Sequence, residues 1–136
     1  MRVGTTIPAL PVRDVPTATA FYVDRLGFAI AHTDGHFSVL RRDDARIHLW
    51  EASDQSWRGR HDLASQPVVS GAESFLAGTA SCRIEVEGID ELYAEMDAAG
   101  ALHGVSKGGA EDTDYGSREF HVIDVDGNLL TFYLWR

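Results

Sequence analysis

Six histidines (32, 36, 48, 61, 103 and 121) and one cysteine, Cys82, are the side chains most able to bind a metal, move a proton or attack an electrophile. A catalytic metal needs several deprotonated ligands converging on one point, with a position left open. With one cysteine in the chain, the histidines make none of the combined Cys/His patterns typical of a structural zinc site. A phosphate-binding P-loop and a dinucleotide glycine fingerprint are also absent from the sequence. Gly108-Gly109, in SKGGAED, follows no clear strand and reads as a flexible loop. Cys82 shares the parity of Ile84 and Val86, so a packed thiol is expected there, not a nucleophile.

The remaining chemistry is that of recognition. The 21 acidic side chains outnumber the 12 basic ones, for a net charge of −9. Such a balance argues against nucleic acid and anionic membrane surfaces, which require clustered Lys and Arg. It favours cationic ligands, although acidity also serves plain solubility. No apolar run reaches the roughly 18 to 20 residues of a membrane span. The opening MRVGTTIPALPVRDV is too short and too broken by proline to be a signal peptide's apolar stretch. With a single cysteine, a reducing cytoplasm is the expected compartment.

The elements that must position these residues come in a weak internal duplication. Val12, Asp14, Val15, Ala18 and Tyr22 fall against Val86, Gly88, Ile89, Leu92 and Met96, each pair 74 residues apart. Each copy reads as a short strand, a turn and a helix. Ile89, Leu92, Met96 and Ala99 form one apolar stripe, and Gly100 is the expected stop. In the first copy Pro16 suits the opening turn, Phe21, Tyr22 and Leu26 supply the buried face, and Gly27 ends the helix. HFSVLRR and ARIHLWE, turning at Asp43-Asp44, make a hairpin. REFHVID and LLTFYLW repeat it around Asp126-Gly127-Asn128, which sets His48 against Thr131. The pattern is βαβββ twice, an α+β domain with helices packed on curved sheets. We expect one domain over 1–136, with modules at about 1–51 and 81–136 and an irregular link at 52–80.

The strings DRLGF (24–28), GIDELYAE (88–95), GSREF (116–120) and DVDGN (124–128), in that order and spacing, resemble the glyoxalase/bleomycin-resistance/dioxygenase (vicinal oxygen chelate) superfamily. Its bleomycin-resistance branch is the nearest match. The likeness covers nearly the whole chain and is weakest over 52–80. It implies paired modules forming an eight-stranded open cup. It also implies a homodimer, often with an exchanged N-terminal strand, in which Pro8 stands where relatives fix that arm. Enzymes of the superfamily hold a divalent metal with one side chain from each of four strands. Here those positions read Ile7, His48, Ser81 and Thr131, a set that cannot hold a metal, and no cofactor is expected.

Alternation names the concave face. If Ile47, Leu49, Ile84, Val86, Phe120 and Val122 are core, then His48, Trp50, Arg83, Glu85, Glu119 and His121 point into the cup, with Ser81, Thr131 and Tyr133 beside them. The resemblance adds Phe37, at a groove phenylalanine of relatives, and Tyr115, where relatives carry an aromatic. Arg83 stands where close relatives have tryptophan, and it suits either an ion pair with Glu85 or Glu119 or stacking of its guanidinium on the ligand. These eight (Phe37, His48, Trp50, Arg83, Glu85, Tyr115, Glu119, His121) are the expected ligand contacts. Structural roles compete at each. Glu119 is equally suited to an ion pair with Arg118 or another base, and the histidines to sheet hydrogen bonds. Trp57 suits either a lid or a loop anchor, and Trp135 a subunit contact. The leading expectation is a non-catalytic protein that sequesters a bulky aromatic molecule, such as a bleomycin-type antibiotic. A metal enzyme with differently placed ligands, and a metal-free lyase or isomerase using His48 or His121 with Glu119, stay open at this stage.

Overall fold

The protein is described by a computed structural model over residues 1–52, 72 and 75–136. Much of the 52–80 link, including Trp57, lies outside the described residues. The first half contains β1 (Ala9–Val12), α1 (Val15–Asp24), β2 (Ala29–Thr33), β3 (Phe37–Arg42) and β4 (Ala45–Glu51). The second contains β5 (Ser81–Glu85), α2 (Ile89–Ala98), a 3-10 turn at Gly104–Ser106, β6 (Glu111–Asp112), β7 (Ser117–Ile123) and β8 (Leu129–Trp135).

Local chemistry accounts for the ends of these elements. Asp14 caps α1 by accepting the Thr17 N–H at 3.0 Å, and Pro16 sits in the first turn, where a missing N–H costs nothing. α1 ends at Asp24, so Leu26 is buried from the connection beyond it, and Gly27 takes the left-handed conformation at φ 71°. α2 buries Ile89, Leu92 and Met96 along one stripe. The β3–β4 turn places Asp43 at φ 50°, a backbone region that aspartate tolerates better than most residues.

The sheets have the same order in both halves, β1-β4-β3-β2 and β5-β8-β7-β6, with the first and last strands of each module parallel. Ala9 lies opposite His48 in one sheet and Arg83 opposite Thr131 in the other, so the duplication extends to register. These are the two βαβββ modules of the cup, eight strands divided four and four. β2 and β6 carry no pattern that could be read in advance. All five residues of β2 are exposed, and β6 is two residues long.

α1 packs on β3 and β4, and α2 on β7 and β8, and their apolar faces merge into one core. The modules are joined by buried polar bonds. Tyr22 donates its hydroxyl to Asp124 Oδ2 at 2.8 Å, and Asn128 Nδ2 donates to the Pro11 carbonyl at 2.8 Å. Arg13 bonds Asp126, Arg42 pairs with Glu95 at 2.7 Å, and Arg25 Nη1 reaches the Ala99 carbonyl at 3.3 Å. With the helices on the inner side, the opposite sheet faces look outward.

Asn128→Ala removes the donor to Pro11 and the acceptor of the Ala80 N–H in one step. Chemical denaturation of that variant should show a loss of about 2 to 4 kcal/mol. Tyr22→Phe, which deletes only the donor to Asp124, should lose less than Asn128→Ala. Near wild-type stability for Asn128→Ala would show that the modules do not depend on this join.

Candidate ligand-binding site

The outward face of the first sheet is aromatic. Strand alternation sends Ser38, Leu40, Ile47 and Leu49 to α1 and the core, which leaves Phe37, Val39, His48 and Trp50 outside. Phe37 is the cross-strand partner of Trp50, and Val39 of His48. The Phe37 ring lies 4.6 Å from the Trp50 ring and meets His48 edge-on at 5.1 Å. These spacings suit offset and T-shaped aromatic packing. Phe75 stacks on Trp50 at 6.0 Å, and His32 lies 6.0 Å from Phe37. Trp50 remains 41% exposed, so the platform is open to a flat ligand.

The second sheet presents an ionic and hydrogen-bonding face. Cys82, Ile84, Phe120, Val122, Leu130 and Phe132 turn inward, while Arg83, Glu85, Glu119, His121, Thr131 and Tyr133 turn outward. The Glu119 carboxylate is buried on that face. It accepts from Arg83 Nη2 at 2.5 Å and from Ser117 Oγ at 2.8 Å. The Arg83 guanidinium lies 4.5 Å above the centre of the Tyr133 ring. Burial pushes the Glu119 carboxyl upward, but the donors Arg83, Ser117 and Tyr115 outweigh it and hold the group below the usual range. Tyr115, in the loop before β7, is 59% exposed beside this pair, and Trp135 at the end of β8 packs edge-on against Tyr133.

The eight expected contacts therefore fall into two groups. Phe37, His48 and Trp50 share one platform, and Arg83, Glu85, Tyr115, Glu119 and His121 belong to the other sheet. Glu119 pairs with Arg83; Arg118 is on the helix side of β7, bound to Asp90 and Asp112. His121 Nδ1 lies 2.9 Å from Thr131 Oγ1, and its backbone N–H donates to Ser106. Glu85 is exposed and lies across from Tyr133. Phe75 and Ser117 were not expected. No spacing in the chain ties either to its partner, because Phe75 lies within the irregular link and Ser117 acts through Glu119.

Of the four superfamily metal positions, Ile7 precedes β1 and is 43% exposed, His48 is on the first sheet, and Ser81 and Thr131 are on the second. Thr131 is already hydrogen-bonded to His121. An isoleucine and two hydroxyls do not fit a divalent metal, and among the described residues no three His, Cys, Asp or Glu side chains converge. His32 and His36 are four residues apart, a spacing that brings imidazoles together on a helix. Here they sit at the β2–β3 turn, each beside its own carboxylate, Asp34 and Glu51 respectively. Cys82 is packed against the core as expected, and burial, with Asp124 nearby, pushes its thiol up to about 11.

Comparison with known proteins agrees in sequence and in fold. Residues 5–132 match the family model of the Glyoxalase/Bleomycin resistance protein/Dioxygenase superfamily. The chain is 52% identical over 128 residues to a bleomycin resistance protein of Geobacillus stearothermophilus, covering 94% of each. It is 26% identical to one from Klebsiella pneumoniae, over 90% of this chain and 86% of that protein. The bleomycin-binding protein of Streptomyces verticillus, solved with copper(II)-bleomycin, superposes at a TM-score of 0.69 and 25% identity, covering 97% of this chain and 96% of its own. A bleomycin resistance determinant encoded on transposon Tn5 superposes at 0.70 and 25% identity, over 98% of this chain and 99% of that one.

Because the Glu119 pKa is lowered in the fold, its ion pair stabilises the protein above the ordinary carboxylate range. That contribution fades as pH falls through the lowered value. Thermal melts across the acid limb should therefore show a shallower loss of stability for Glu119→Gln than for the wild type. Parallel curves would mean that Arg83 and Ser117 do not set the ionisation of Glu119.

Proposed function

The chain belongs to the glyoxalase/bleomycin resistance protein/dioxygenase superfamily, and from that premise we propose that it sequesters a bulky, partly aromatic antibiotic of the bleomycin class without transforming it. The observation that carries this reading is the 52% identity, along almost the full length of both chains, to a bleomycin resistance protein. The chemistry of the two faces supports it. Phe37, His48 and Trp50 offer stacking surface, while Arg83, Glu85, Tyr115, Glu119 and His121 offer charge and hydrogen bonds, the combination a large amphiphilic ligand needs.

Catalysis finds little footing. The metal positions cannot supply a ligand set. Among the described residues Glu119, the partner that a metal-free mechanism would use, is committed to Arg83 and Ser117 and not to His48 or His121. A general base must reach its proton with a free lone pair and a suitably placed partner. The function is therefore binding, with no cofactor, by one domain over 1–136 in the cytoplasm. Nucleic acid and membrane are not partners of so acidic a chain.

We assign a homodimer as the working form. Trp50, Tyr115, Trp135, Ile7, Ile30 and Ile123 are all exposed large apolar side chains, more than scattered surface residues require. In one chain the two recognition faces are separate, and a second copy can set the aromatic face of one against the ionic face of the other. The first eight residues stand free of the sheets, except that the Pro8 carbonyl accepts the His48 N–H at 3.0 Å, so the arm is available for exchange.

Titration with bleomycin, with and without copper, should quench tryptophan fluorescence saturably, with a constant of about a micromolar or tighter. The recovered antibiotic should be chemically unchanged, and Trp50→Ala should weaken binding by about ten-fold or more. A modified product would replace sequestration by turnover. No response to bleomycin would remove this antibiotic class as the ligand.

A further inference from the structure

Among the described residues, Arg83 is the one arginine or lysine on the outward face of the second sheet, and its surroundings define what it can do. Its charge is already taken up. The guanidinium donates at 2.5 Å to Glu119, a carboxylate whose side chain is 5% exposed and which also holds Ser117. A cation paired with a buried carboxylate in this way leaves little net charge for a ligand anion. The guanidinium is also held from two directions. Tyr133 lies beneath it at 4.5 Å, and Glu119 holds its edge. The side chain is still 47% exposed, so part of the planar group looks out into the groove.

A guanidinium is flat, delocalised and weakly hydrated, and therefore stacks on π-systems as well as pairing with anions. An ammonium on a flexible stem has neither property. We propose that Arg83 is a specificity-determining residue that serves as a flat stacking platform, receiving an uncharged heteroaromatic ring of the ligand on its open face. In this arrangement Tyr133, Arg83 and the ligand ring form one stack, and Glu119 acts as a positioning residue that holds the plane. The inference rests on the sequestration reading and names the part of the ligand that this face takes.

The test uses metal-free bleomycin as probe and three proteins: the wild type, Arg83→Lys, and the double variant Arg83→Trp with Glu119→Gln. Lysine keeps the charge opposite Glu119 but loses the plane. The double variant keeps a plane and strands no buried carboxylate. Calorimetric titration should show Arg83→Lys weakened by about ten-fold and the double variant within about three-fold of wild type. Wild-type affinity should change little between about 50 and about 500 mM NaCl, because a stack is screened far less than an exposed counter-charge. Circular dichroism and melting curves confirm that each variant is folded. Full affinity in Arg83→Lys with loss in the double variant would overturn the stacking role and make Arg83 a counter-charge, leaving sequestration intact. Equal affinity in all three would remove Arg83 from recognition. No binding by the wild type would sink the sequestration reading and this inference together.

Discussion

Asp124 is a carboxylate only 4% exposed, and among the described residues it is surrounded by donors with no cation among them. One oxygen accepts the backbone N–H groups of Asp126 and Asn128, which closes the β7–β8 turn. The other accepts the Tyr22 hydroxyl from α1 and the Asn128 amide. Asn128 in turn donates to the Pro11 carbonyl of β1 and accepts from Ala80 just before β5. A buried charge is tolerable only when its lone pairs are met, and here meeting them requires elements of both modules. The same environment drives the Tyr22 hydroxyl well above its ordinary pKa, first by burial and then by the adjacent Asp124 charge. This knot sets one module against the other, and the shared core closes around it.

The outward faces follow from that placement. Once α1 and α2 lie against their sheets and contribute to one core, period-two alternation leaves every second strand residue facing away from it. On the first sheet those positions hold aromatic rings, and on the second they hold an ion pair, hydroxyls and Tyr133. Similar folding plans therefore produce faces of different chemistry, because the inward residues answer to packing and the outward ones do not. In enzymes of the superfamily the equivalent outward positions carry metal ligands. Here they carry Ser81 and Thr131, and the histidine of the set, His48, packs against Phe37.

Arg83 and Glu119 show how a carboxylate can be buried and still kept charged. Glu119 loses solvation under the guanidinium and regains it through Arg83 and Ser117, and its carboxyl stays below the ordinary range. Removing either partner alone would leave the other short of a bond, which is more costly than replacing both. The exposed part of Arg83 then borrows its rigidity from a neighbour that solvent hardly reaches.

Much of this was legible in the chain. The helical stripe of Ile89, Leu92 and Met96, the opening turn at Pro16, the hairpin turns and the duplicated register of His48 and Thr131 are local or periodic signals, decided by neighbours a few residues away. Alternation sorted Arg83, Glu85, Glu119 and His121 onto one face for the same reason. The poor metal set at Ile7, Ser81 and Thr131 was equally visible, since residue type alone decides whether an oxygen or nitrogen donor exists. Three features were not legible: that Glu119 takes Arg83 and not the adjacent Arg118, that Phe75 stacks on Trp50, and that Asp124 binds Tyr22 across 102 positions. Neighbouring residues on a strand point to opposite faces, so sequence proximity misleads for Arg118, while Arg83 arrives beside Glu119 only because β8 pairs with both their strands. Residue types and periods set what each side chain could do; strand order and the packing of the two modules decided which of them meet.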